Sequence, residues 1–70
     1  MEYVKVTYPA NRLVYINGDQ GGNTNEVLRI QAGTHVFDLG KPVDYEPASQ
    51  KVEVEGTTVL VPMVVAFTYK

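Results

Sequence analysis

The lone histidine, His35, is the first side chain to consider for acid–base work or metal ligation. Either role ordinarily draws on a second histidine, a cysteine or a carboxylate brought beside it. The chain has no cysteine and no other histidine, and His35 shares the parity of Phe37 and Leu39. It reads as a partly buried ring packed beside a turn and hydrogen-bonded to backbone. Asn17, Asp19, Asn23, Asn25 and Glu26 form an oxygen-rich run that raises the question of a calcium loop over Asn17–Glu26. A calcium loop needs ligands at alternate positions and a late bidentate Glu. Gly21 replaces one ligand and Leu28 stands where that Glu belongs, so turn chemistry is the better reading: Asn and Asp bond their own backbone and Gly tolerates positive φ. Gly21-Gly22 is followed by no Lys-Ser/Thr and no helix start, hence no phosphate cradle. Asp38, Asp44 and Glu46 lie near a bend and read as a solvated rim. No nucleophile–base pair, metal cluster or cofactor fingerprint is visible, so the expectation is a non-enzyme with no cofactor.

Two features point instead to binding. Five tyrosines, Tyr3, Tyr8, Tyr15, Tyr45 and Tyr69, invite a carbohydrate reading, since aromatic rings stack on sugar faces. Tyr3 and Tyr15 share the outward parity of strands expected to be neighbours, which would make one exposed glycan platform; the plainer reading is cross-strand pairing, worth ~0.2–1 kcal/mol per pair. Tyr45 reads as tucked under its own loop. The second feature is the run Val59–Phe67, apolar at both parities and interrupted by Pro62. A strand apolar on both faces is sandwiched or meets a partner, and left bare it is an aggregation liability. One reading packs Met63, Val65, Phe67 and Tyr69 against a protein partner or a second copy, by strand addition at a C-terminal edge strand. The other bends the strand at Pro62 so that its halves face the core with opposite parity.

The elements that must position these residues are strands. Lys51-Val52-Glu53-Val54-Glu55 alternates strictly, and Val4/Val6, Val14/Ile16, Leu28/Ile30 and Phe37/Leu39 alternate in the same way. No helical i, i+3, i+4, i+7 pattern is convincing. Strands are expected over 3–8, 12–17, 26–31, 34–39, 50–55 and 58–68, the last bent or split at Pro62. Asn17-Gly18 is a strong hairpin signal, though the glycine-rich polar stretch 19–25 extends it into a loop. Ala32-Gly33-Thr34 reads as a tight turn joining two strands, and 40–49, with two prolines, as an irregular connection. The expected core is Val4, Val6, Val14, Ile16, Leu28, Ile30, Phe37, Leu39, Val52, Val54, Val59 and Val61. Six or seven short strands so spaced give an all-β fold, a sandwich or a barrel formed by one domain over residues 1–70.

Val14-Tyr15-Ile16-Asn17-Gly18 resembles the "V-x-V-[D/N]-G" opening of the PEGA domain, and Gly22-x-Thr24 its following "G-x-T". Leu28-x-Ile30-x-Ala32-Gly33-Thr34-His35-x-Phe37 is similar to its "L-x-L-x-x-G-x-H-x-[apolar]" hairpin, and Asp44-Tyr45-Glu46-Pro47 to its "G-Y-x-P" element. Lys51–Glu55 matches the strand that follows and Val4-x-Val6-x-x-x-Pro9 the lead-in, so the resemblance covers roughly residues 4–61. Asn25 stands where the family often has Pro, Gln31-Ala32-Gly33-Thr34 keeps only the Gly of the naming tetrapeptide, and Asp44 replaces a Gly. The resemblance implies a small Greek-key β-sandwich of six or seven strands, of the transthyretin-like and carboxypeptidase regulatory-like kind. It implies a non-catalytic interaction or structural module, often an accessory domain of bacterial envelope or surface proteins.

Size and charge set the outer limits. Seventy residues bury only about 60% of the surface that the unfolded chain exposes, and without cysteine no disulfide compensates. A net charge of −2 has the wrong sign for nucleic acid or an anionic membrane, so neither is an expected partner. The longest apolar run is too short to span hydrocarbon as a helix, and no membrane insertion is expected. The N-terminus lacks a signal-peptide pattern, which points to the cytoplasm for a full-length chain and leaves export open for a fragment.

Overall fold

The computed structural model describes residues 1–70. It contains nine strands and no helix: β1 (Glu2–Thr7), β2 (Leu13–Ile16), β3 (Asp19–Asn23), β4 (Val27–Ile30), β5 (Gly33–Asp38), β6 (Tyr45–Glu46), β7 (Gln50–Val54), β8 (Met63–Ala66) and β9 (Thr68–Tyr69). A three-stranded sheet in the order β4-β1-β8 faces a four-stranded sheet in the order β3-β2-β5-β7, and β6 and β9 form a short two-stranded clasp. β1 pairs antiparallel with β4 and parallel with β8. The result is a small all-β sandwich, as the period-2 patterning requires, with more and shorter strands than the six or seven expected.

Alternation decides what each strand buries. Val4 and Val6 of β1, Leu28 and Ile30 of β4 and Val65 of β8 line one wall, while Val14, Phe37 and Val54 line the other. Tyr8, Leu39, Tyr45 and Phe67 close the end of the sandwich. Ile16 and Val52 pack at the margin of this core, half-buried. Val59 and Val61, expected inside, lie outside. Residues 58–62 form no strand, so their parity carries no information about which face they present.

Two turns differ from expectation in instructive ways. Residues 19–23 of the stretch 19–25 are strand and not loop: Asn17 and Gly18, with φ of 54° and 86°, make a two-residue turn, and Ile16 pairs with Asp19 across it. Positive φ at both central residues matches the twist of the flanking strands, which is why Asn-Gly favours this turn. Polar, glycine-rich β3 then pairs with β2 as an edge strand. Gly22 (φ 143°) is needed there, because a Cβ would lie 2.5 Å from Leu28 Cδ2. The second difference is at 32–34. β4 and β5 are not a hairpin; they belong to opposite sheets, and the chain crosses between sheets just before Gly33 (φ 129°).

A polar seam holds the connections in place. Thr24 is 1% exposed. Its Oγ1 accepts the Arg12 N–H at 3.0 Å and donates to the Ala10 carbonyl at 2.8 Å. Asn25, with φ 64°, accepts the Tyr8 N–H at its Oδ1 and donates its amide to the Tyr8 carbonyl. Asn25 thus prolongs the β1–β4 ladder with its side chain, which accounts for its presence where the family resemblance leads one to expect Pro.

Candidate interaction surface

The apolar segment, expected as a strand bent or split at Pro62, divides there: before it come an anchor and a turn, after it a short edge strand. Thr57 is the anchor. Its Oγ1 accepts the Tyr3 N–H at 2.7 Å, while its own O–H and N–H donate to Glu2 Oε1 at 2.7 and 2.9 Å. These bonds, that of the Thr57 hydroxyl above all, hold the Glu2 carboxyl below its ordinary value of 4.5. A depressed folded pKa gives stability that is full above the unfolded value and fades as pH falls past it. Glu2→Gln is therefore expected to lose a small increment of thermal stability at neutral pH. The difference from the parent chain should vanish on titration below 4.5, and a gap that stays constant with pH would contradict the assignment.

Beyond the anchor, Thr58 and Val61 exchange backbone N–H···O=C bonds, each 3.1 Å, and the Thr58 hydroxyl accepts the Val61 N–H at 3.0 Å. Val59 and Leu60 are left as the two central residues of a tight turn. Such positions usually carry Gly, Asn, Asp or Pro, which suit the backbone and like water. Here Val59, Leu60 and Val61 are 59%, 89% and 71% exposed. Pro62 then leads into β8, whose Met63 registers with Val4, so the turn projects from the end of the sandwich where β1 begins.

β8 is an edge strand of the three-stranded sheet. Phe67 donates its N–H to the Thr7 carbonyl, and in a parallel ladder alternate residues turn their backbone groups to opposite sides. Val64 and Ala66 therefore point theirs away from β1. The Gln50 side-chain amide covers the Ala66 carbonyl at 2.6 Å. Val64 also presents its side chain to solvent, 60% exposed, and its neighbour across the ladder is Lys5 on the same outer face as Tyr3.

The residues singled out from sequence divide accordingly. Val65 and Phe67 are 1% and 2% exposed; they belong to the core, so contact with a partner through these side chains is ruled out in the folded chain. Met63 is half-buried against that core. Tyr69 is exposed and packs edge-to-face on Tyr8, 5.3 Å between centroids. Tyr3 and Tyr15 do not form one patch: β1 and β2 are in opposite sheets, so their outward faces point away from each other. Tyr15 lies over Gly40, where a Cβ would come within 2.6 Å of its ring. What the sequence reading missed is the pair of apolar residues at a turn apex. The signal was present in Gly56-Thr57-Thr58 and Pro62, which bracket Val59–Val61 as turn residues bracket a loop.

The remaining polar candidates are occupied structurally. His35 Nε2 lies 2.8 Å from the Gln31 carbonyl, which can only accept, and Nδ1 lies 3.0 Å from the Asn17 amide nitrogen, which can only donate. The neutral ring protonated at Nε2 satisfies both. Asp38 accepts the Gly40 N–H, whereas Asp44 pairs with Arg12 at 2.6 Å, so these two carboxylates of the bend turn to different partners. Asn17 and Asn25 turn their side-chain oxygens to the Val36 and Tyr8 N–H groups, at opposite ends of β3.

Comparison with known proteins agrees with this architecture. A family model described as the PEGA domain matches residues 3–64, nearly the whole chain. No curated protein and no solved structure matches at a significant level.

Proposed function

The chain belongs to the PEGA domain family, and from this premise we propose that it is a non-catalytic protein-interaction module whose contact surface is the apolar apex Val59-Leu60-Val61, continued by Val64 on the edge of β8. The carrying observation is the apex itself. Three consecutive aliphatic residues face solvent on a turn that is held at both ends, by the Thr57–Glu2–Tyr3 bonds and by the β1–β8 ladder. An exposed apolar group on a rigid support binds with little ordering cost, and exposed apolar patches of this kind mark interaction sites. Tyr3 and Lys5 on the adjoining outer face supply a rim. The expected occupant is another protein chain, either a second copy or a larger partner that accepts a strand at β8.

Leu60→Asp is expected to remove the interaction while leaving the thermal transition within roughly 0.5 kcal/mol, because a substitution at a solvent-facing apex disturbs no packing. Light scattering at high micromolar concentration reads self-association. A photo-crosslinking residue at position 60, with one at exposed position 34 as control, reads a different partner in the source cells. A strict monomer that also shows no crosslink specific to position 60 would overturn the proposal.

A further inference from the structure

We propose that Asn17 is a covalent modification site, guarded in the folded chain by the hydrogen bonds of its own side-chain amide. In an Asn-Gly pair the second residue has no side chain to shield its backbone nitrogen. That nitrogen in Gly18 loses its proton and bonds to Asn17 Cγ. The Cγ–Nδ2 bond breaks, and the departing nitrogen takes up a proton to leave as ammonia. The resulting five-membered imide adds one water at either carbonyl, giving aspartate or isoaspartate at position 17.

The fold opposes the first step. Asn17 Oδ1 accepts the Val36 N–H at 2.9 Å, Nδ2 donates to His35 Nδ1 at 3.0 Å, and the Asn17 backbone N–H donates to the Val36 carbonyl at 2.8 Å. Cγ is thereby pinned toward β5, and ring closure requires it to swing back over the Gly18 nitrogen. The reaction can proceed only from states in which this side of the turn has opened. Its products are not equivalent. Aspartate keeps the main chain and places an acceptor, in place of a donor, opposite His35 Nδ1. Isoaspartate adds a methylene to the main chain of a two-residue turn and so breaks the Ile16–Asp19 register.

Trypsin releases Leu13–Arg29, which holds Asn17, Asn23 and Asn25 on one peptide, and fragment-ion mass spectrometry assigns the site. On incubation near neutral pH the free peptide is expected to be modified at Asn17 ahead of Asn23 and Asn25, and the folded chain at Asn17 more slowly. His35→Leu keeps the ring's place filled but removes the Nδ2 acceptor. It is expected to raise the folded-state rate about fivefold, the factor given by one hydrogen bond of ordinary strength. Should that variant unfold, the native chain supplies the second reading: across mild denaturant the Asn17 rate should track hydrogen exchange at the Val36 amide. A folded chain modified as fast as the free peptide overturns the guard. Modification at Asn23 or Asn25 with Asn17 intact overturns the site.

Discussion

Phe67→Ala is expected to cost ~3–5 kcal/mol, the usual range for emptying a buried aromatic position. For a chain of this length the total stability is on the order of 4–10 kcal/mol, so the variant should lose about a third of it or more. The ring is 2% exposed and meets Tyr45 edge-on at 5.6 Å, with 88° between planes. Phe67 also donates its N–H to the Thr7 carbonyl, so the side chain sits where β8 is fastened to β1. The cavity left by alanine would open between β1, the β6–β9 clasp and the core, where a sandwich this thin has little material to collapse into it. Urea unfolding followed by circular dichroism measures the loss directly. The contrast with Leu60→Asp is the discriminating result. Two apolar residues seven positions apart should differ by several kcal/mol, because one fills the core and the other faces water. Equal and small effects would place Phe67 on the surface, against the structure.

Arg12→Met is expected to lower stability by about 2–4 kcal/mol, since hydrogen bonds from a charged donor and cation–π contacts are lost together. The Arg12 guanidinium donates to the Asp44 carboxylate at 2.6 Å and to the Pro42 and Leu39 carbonyls at 2.9 and 3.2 Å. It also lies over the Tyr45 and Tyr8 rings at 5.2 and 5.9 Å from their centroids. One planar cation therefore ties the irregular 40–44 connection to the aromatic end of the sandwich. Tyr45 completes the tie, donating to the Gly40 carbonyl and accepting the Leu39 N–H at its hydroxyl. Arg12→Lys should rescue little, because a lysine ammonium cannot fork to three acceptors while stacking on rings. Asp44→Asn should cost less than about 1 kcal/mol, since Asp44 is largely exposed and water screens that half of the pair. At ~4–8 °C per kcal/mol for a domain of this size, thermal melts separate the three variants. An Asp44→Asn loss as large as that of Arg12→Met would make the ion pair, not the guanidinium's carbonyl and ring contacts, the decisive element.

The all-β class, the inward set on β1, β4, β5 and β7, and the family are legible in the residues alone. Each of these follows from local rules. Alternation with period 2 fixes which side of a strand is wet, as Lys51–Glu55 shows; Asn17-Gly18 signals a hairpin because few other pairs accept positive φ twice, but the polar stretch after it reads as a loop until β2 is there to pair with it. Which strands lie side by side is settled by long-range pairing. Tyr3 and Tyr15 share a parity, but pairing is non-local, and their strands went to opposite sheets. The same limit applies at Ala32-Gly33-Thr34, where a turn signal says that the chain changes direction and not whether it stays in its sheet. Polar, glycine-rich β3 has no hydrophobic pattern of its own and exists because β2 offers it a ladder. The apolar run 59–67 is the sharpest case. Hydrophobicity places Val59, Leu60, Val65 and Phe67 in one class. Which of them is buried depended on where Thr57 and Pro62 let the backbone turn and on which edge of β1 was free to receive β8. Burial is a property of neighbours, and neighbours are set by chain geometry over the whole molecule.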